Sequence, residues 1–522
     1  MTRAEMQISP SVQIPNHDAA SRKLIRGSSL LVVGRIIAIV LNFVGQVITV
    51  RCLMKADFGA FAYGISIASM GASVAVFGLG RALNRFAPMF HEKGEFGRLA
   101  GTIVLALSCV SGIGIGVVLL VLGGAGFIGP VLVHDPRSLS LLMILILLTP
   151  LRALDSIFEE IFAALASSRA LFFRRHLVGP LLKLAALVPM LIFGPDAVVL
   201  AVAYIAFGLL GTLCSATVLW SLLKQADLLK YFRRDSIDVP ARQMLCFSFG
   251  LLSADLLTIV RGSLVTLMLE FYTGALGVAA FRAVLPVAEL NTFVADGFRT
   301  LFSPMISRLF ARGDVASIDR IFWHTMSWIS VATFPLFLTC ICLTDFITLT
   351  LFGDDYADSA GILRLLAVGF YVSSVISFNY EVLKAHGHIG RMFLTDILTV
   401  FVAMLLNLWM VPRWGAMGGA AATVAVLLMR PIGNQITILR LGLLQEIDWR
   451  CLRLFLVMLM VTIAAWLLPL IIGNSLASQL VMMIIGSAVV MITGLPMLEI
   501  NSTFPELLRF RFVRRFLQPR GV

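Results

Sequence analysis

Charge is scarce in this chain. Only 13% of its 522 residues are Asp, Glu, Lys or Arg, roughly half of what a soluble domain carries. Polar segments long enough to fold are also missing: the longest between apolar stretches runs from about Leu223 to Gln243. No soluble domain of useful size fits, which excludes a soluble enzyme. The seven Cys are scattered in or beside apolar stretches without CxxC spacing. They read as small apolar residues, with neither a disulfide framework nor a metal site. There is no HExxH, no Walker-type glycine loop and no nucleophile elbow. Neither metal chemistry nor ATP hydrolysis is indicated, and no cofactor is expected. The seven His lie mostly in loops or at the ends of apolar stretches, as interfacial polar decoration. A short signal-type apolar region is lacking as well, because the first apolar stretch is too long and no small-residue cleavage site follows it.

Hydrophobic residues, by contrast, make up 59% of the chain. They recur in runs of about 20, the length of a helix that crosses a bilayer. The expectation is an all-α integral membrane protein with about fourteen transmembrane helices, at 28–50, 59–83, 99–123, 139–165, 177–193, 198–222, 244–268, 275–302, 322–344, 360–383, 392–411, 415–439, 454–471 and 479–500. The 41 Lys and Arg orient these spans. With the N-terminus in the cytoplasm, 28 fall in cytoplasmic segments and 4 in the opposite loops. That asymmetry places both termini inside. The net charge of +12 is thereby explained by loops facing an anionic leaflet, and no nucleic acid partner is expected.

The first twelve spans read as two sixes. Phe86-Ala87-Pro88-Met89 is echoed by Phe302-Ser303-Pro304-Met305, Gly94-Glu95 by Gly313-Asp314, and the turn from Gly194 by the one from Gly415. Six is even, so the halves are parallel, related by an axis along the membrane normal, as in two-lobed transporters. The expected organisation is a disordered cytoplasmic tail (1–27), an N-lobe (28–222), a cytoplasmic linker (223–243), a C-lobe (244–439), two further spans (440–500) and a basic cytoplasmic tail (501–522).

Three segments carry a family likeness: Gly27-Ser28-Ser29 through Gly34-Arg35, then Lys55-Ala56-Asp57-Phe58-Gly59, then Phe77-Gly78-Leu79-Gly80. With the run from Trp414 to Ala421 they resemble Wzx-type polysaccharide-biosynthesis flippases of the multidrug/oligosaccharidyl-lipid/polysaccharide (MOP) superfamily. The likeness covers roughly residues 25–440. It implies a bundle in the bacterial inner membrane that moves an undecaprenyl-pyrophosphate-linked oligosaccharide between leaflets for surface polysaccharide or lipopolysaccharide synthesis. Its partners would be that lipid-linked substrate, the bilayer, and the polysaccharide polymerase and export machinery. Physically, Asp57 is expected to cap helix two, and Gly78 and Gly80 to let helices approach closely.

Charges inside the spans are the candidate functional residues, since each is costly near the bilayer centre and belongs against a cavity or a partner. Arg282, Glu289 and Asp296 recur every seven residues in span eight. Arg152, Asp155 and Glu159 form one stripe in span four, span seven carries Asp255 and Arg261, and Arg35 and Lys183 stand in spans one and five. By the resemblance, helices one, two, seven and eight line the cleft, which makes Arg35, Arg261 and Arg282 candidates to hold the pyrophosphate through their guanidinium forks. Asp255, Glu289 and Asp296 are alternative carriers of a coupling H+ or Na+, with Arg152, Asp155 and Lys183 lining the cavity. The competing reading is internal pairing, such as Arg152 with Asp155 or Arg282 with Glu289. Rival functions are a multidrug or lipid II exporter of the same superfamily and a polyprenyl-linked polysaccharide polymerase. The short outer loops count against the polymerase.

Overall fold

Inside a bilayer each backbone amide must be satisfied within its own segment, so apolar runs wind into helices. In a computed structural model the described residues are 17–126, 129, 133, 135–165, 167–232, 236–443, 449–472 and 475–494; they are helical almost throughout, with no strand among them. The first half comprises α1 (His17–Cys52), α2 (Lys55–Val76), α3 (Leu79–Glu92), α4 (Phe96–Gly123), α5 (Pro136–Leu145), α6 (Leu148–Ala164), α7 (Arg169–Phe193) and α8 (Ala197–Gln225). The second half comprises α9 (Ala241–Arg312), α10 (Val315–Cys342), α11 (Ser359–Ile376), α12 (Asn379–Ala385) and α13 (Ile389–Arg440), followed by α14 (Trp449–Ile472) and α15 (Leu476–Gly494).

α9 holds 72 residues. Straight, it would be on the order of 100 Å long, against a hydrocarbon core of about 30 Å. It folds back at Gly274, whose φ of 66° and ψ of −167° are reached readily only without a Cβ. Arg282 Nε donates to Thr266 Oγ1 at 3.0 Å, although the same two residues would lie about 24 Å apart along a straight helix. α13 is a second hairpin: Gly415 has φ 54°, and Arg430 Nε reaches Asp396 Oδ1 at 2.6 Å. Among the described residues, ten helices are long and apolar enough to cross a membrane, or eleven with α5 and α6 taken as one span bent by 46°. Since α9 and α13 each fold back, this multi-pass architecture is compatible with fourteen crossings.

The repeat reappears in the backbone. Gly94 and Gly313 have φ of 71° and 70°, and Gly194 and Gly415 have φ of 97° and 54°, so each matched glycine makes a left-handed turn at the matched place. α2 packs on α9, α5 and α6; α9 packs on α11 and α13; α14 and α15 both pack on α10.

Several expectations need correction. α1 begins at His17, so part of the expected N-terminal tail is helical; residues 1–16 and the C-terminal tail 501–522 lie outside the described residues. Span two is not continuous: α2 ends at Phe77 and Gly78, with φ of 50° and 69°, where the Phe77 amide donates to the Val74 carbonyl. Asp57 does not cap α2, whose N-cap is Met54; it sits in the first turn and accepts from Arg137 Nη1 at 3.2 Å.

Candidate functional site

The two halves enclose a cavity of about 800 Å³, walled by α1, α2, α6, α7, α8 and both arms of α9. The wall from α2 is a stripe of serines. Ser66, Ser69 and Ser73 share one helical face, and their hydroxyls donate to the carbonyls four residues earlier, at 2.7, 2.6 and 3.0 Å. Each hydroxyl oxygen therefore keeps lone pairs with which to accept. Arg282, on the second arm of α9, donates to Ser66 Oγ at 2.5 Å as well as to Thr266. Arg152 of α6 donates to Ser69 Oγ. Lys183 of α7 donates to Asn42 Oδ1 at 3.2 Å.

None of these three cations forms a salt bridge with a carboxylate among the described residues; their partners are neutral oxygens. The cavity lining holds four basic side chains, Arg35, Arg152, Lys183 and Arg282, against two acidic ones, Glu289 and Asp296. Ions withdrawn from water without a counter-charge carry a penalty of several kcal/mol each, so the cavity is suited to an anion.

The remaining candidates fall in different places. Arg35 lines the cavity at its edge, where its Nη2 meets Asp296 Oδ2 at 2.6 Å and its guanidinium lies 5.1 Å from the Phe293 ring. Asp296 also takes Arg299 at 2.6 Å. Glu289 faces the cavity and forms no ion pair among the described residues. Arg261 does not line the cavity: it stands 3.8 Å from Asp396, the carboxylate that Arg430 also holds. Asp255 lies outside the lining too, paired with Arg81. Asp155 pairs with Arg174 and not with Arg152; with Arg152 and Lys183 it borders a neighbouring cavity of about 100 Å³. The internal pairs Arg152–Asp155 and Arg282–Glu289 are therefore not formed. Sequence reasoning passed over the serine stripe, whose i, i+3, i+7 polarity on an apolar helix was a readable signal. It also placed Glu270 in an outer loop, whereas this residue is fully buried in α9.

The cavity is closed differently at its two ends. At the α1–α2 turn, Gly59 packs directly on the Ala275 carbonyl, Lys55 Nζ bonds Asp358 at 2.7 Å and the Asp355 carbonyl at 2.6 Å, and Arg51 donates to the carbonyls of Leu349, Thr350 and Leu351. At the other end Arg35 meets Asp296 and Arg81 meets Asp255, Gly78 lies close to the Ser248 carbonyl, and Phe86 packs edge-on against Phe247.

Residues 24–310, more than half of the chain, match the model of a family described as polysaccharide biosynthesis protein. The chain belongs to that family. Among solved structures, this family member is similar to the lipid II flippase MurJ in an inward closed conformation, with a TM-score of 0.69 at 13% identity, covering 88% of this chain and 97% of that one. It is also similar to a multidrug resistance MATE family transporter of the MOP superfamily. The inward-facing form gives a TM-score of 0.62 at 13% identity over 78% of this chain and 96% of that one. The outward-facing form gives 0.52 at 15% identity, over 82% and 97%. No curated protein sequence matches the chain. The fold is thus shared with these transporters and flippases.

Proposed function

We propose that this protein flips an undecaprenyl-pyrophosphate-linked oligosaccharide repeat unit across the bacterial inner membrane by alternating access, with both termini in the cytoplasm. The observation that carries the reading is the group Arg152, Lys183 and Arg282, three cations in the central cavity that are held only by neutral oxygens. Two guanidiniums and an ammonium on separate helices suit a diphosphate, which offers several acceptor oxygens and more than one negative charge. The polar serine wall suits sugar hydroxyls, and the polyprenyl chain would remain in lipid. On this reading the N-lobe (28–222) and C-lobe (244–439) rock about the cavity. Arg35 with Asp296 serves as a gate pair, and Glu289 is the open carboxylate for a coupling H+ or Na+. Surface-polymer synthesis would draw on the flipped unit through a polymerase and export machinery.

The test is complementation of a deletion strain. Loss of the gene should accumulate one undecaprenyl-pyrophosphate-linked unit and abolish one surface polymer. The triple variant R152Q/K183Q/R282Q should fail to restore that polymer, by at least tenfold, at a normal level in the membrane. Full restoration would sink the diphosphate assignment. Unchanged lipids in the deletion strain, with altered susceptibility to cationic compounds, would point to the drug exporter instead.

A further inference from the structure

A separate cavity of about 410 Å³ lies between the end of α6, the start of α7 and the last turns of α8. Here α7 contains a π-helical turn, Phe173–Val178, a local widening of the helix that is frequent at functional sites. Two arginines line the cavity. The side chain of Arg174 is only 10% exposed and is paired with Asp155, yet its Nε has no hydrogen-bond partner. Arg169, further towards the loop, is exposed and forms no ion pair among the described residues. Ser215 and Gln225 add polar groups, and Phe162, Phe173 and Val218 supply an apolar wall.

The lining along α8 extends from Cys214 to Gln225, about 16 Å of helix rise. The cavity therefore runs from the polar loop end of α8 into its apolar stretch. Phe173, which lines it, is 52% exposed, so the apolar wall continues to the outer surface of the bundle. A soluble anion would find an arginine at the surface, but it has no use for an apolar wall at this depth. A lipid uses both.

We propose that this cavity binds the phosphate head of an anionic membrane lipid, with the phosphate between Arg169 and Arg174 and the first chain methylenes along Phe162, Phe173 and Val218. The leaflet is the one at the α6–α7 end, which the basic loops assign to the cytoplasm. The site shares no lining residue with the central cavity, so it stands or falls independently of the cargo carried there.

The test uses the full-length protein in neutral detergent with photoactivatable phosphatidylglycerol, and with phosphatidylcholine carrying the same photoactivatable chain. Phosphatidylglycerol should label residues 169–178 and 214–225 well above phosphatidylcholine, and millimolar inorganic phosphate should leave the labelling unchanged. Arg169→Gln should reduce it about fivefold, the worth of one interfacial charge of about 1 kcal/mol. Val218→Trp, which fills the cavity, should abolish it. Unlabelled polyprenyl phosphate and unlabelled phosphatidylglycerol as competitors separate a carrier lipid from bulk lipid, by whichever displaces the label at the lower concentration. Equal labelling by the two photolipids in the wild-type protein overturns the proposal without need of any variant. Displacement by inorganic phosphate would make this a free-anion site and overturn the lipid assignment.

Discussion

Gly59 has no room for a side chain. A carbon attached there would run into the carbonyl of Ala275, so α2 and the α9 hairpin meet backbone to backbone only because this position is bare. Gly59→Val is expected to keep that end of the cavity from closing. An impermeant thiol reagent applied from the side of the α1–α2 turn should then label a cysteine placed at Ser69 at least tenfold faster than in the Gly59 background; an unchanged rate would refute the role. At the same scale, Arg261 and Arg282 illustrate the limit of sequence reading. Both are arginines in apolar stretches of α9, and nothing local separates them. What separates them is the partner brought by another element: Asp396 from α13 reaches Arg261, while Ser66 from α2 offers Arg282 only a hydroxyl. The first arginine is compensated and the second is not. Arg35, Arg152 and Lys183 were recognisable as intramembrane charges for the same reason, but their counter-groups were not, because counter-charge is a property of distances between helices.

Among the elements, α9 and α13 depend on single glycines. Nothing lies within 4 Å of a Cβ added at Gly274, so Gly274→Ala should cost only the backbone penalty of a conformation reserved for glycine, about 1–3 kcal/mol. Thermal unfolding in detergent checks this; an unaltered midpoint would mean that the hairpin tolerates another turn. Gly415 is similar but has the Thr273 methyl 3.6 Å from its added carbon, which couples the two hairpin tips. The sequence marked both turns as gaps between predicted spans, since apolar length and basic-loop alternation divide the chain there. It did not mark the break at Phe77 and Gly78, because an apolar run stays apolar across a kink. The φ of 50° at Phe77, a residue with a full side chain, is a tertiary choice that no local propensity requires.

At the scale of the whole molecule, the two ends of the cavity differ in the contacts that join the halves. One is sealed by backbone contact, a Lys55–Asp358 bridge and carbonyls held by Arg51. The other carries two ion pairs whose members are partly exposed, a kind of contact that contributes little and is screened by salt, beside the Phe86–Phe247 packing and the approach of Gly78 to the Ser248 carbonyl. Alternating access requires the sealed end to open as well. On the proposed function, cysteines at Lys55 and Asp358 joined by a bifunctional methanethiosulfonate, whose reach matches a lysine–aspartate pair, should therefore stop polymer export, and reduction should restore it. Export that continues through the cross-linked protein would contradict rocking of the halves.

By itself, the sequence determined that the chain lives in a membrane, roughly where its apolar spans fall and that its halves share repeated motifs. These follow from transfer free energy and chain length, which add residue by residue along the chain. Only the tertiary structure decided which intramembrane charges are paired, which face the central cavity, and that α2 contributes a serine wall to it. Electrostatic compensation depends on separations of a few ångströms between residues far apart in the chain, and those separations exist only once the helices have packed.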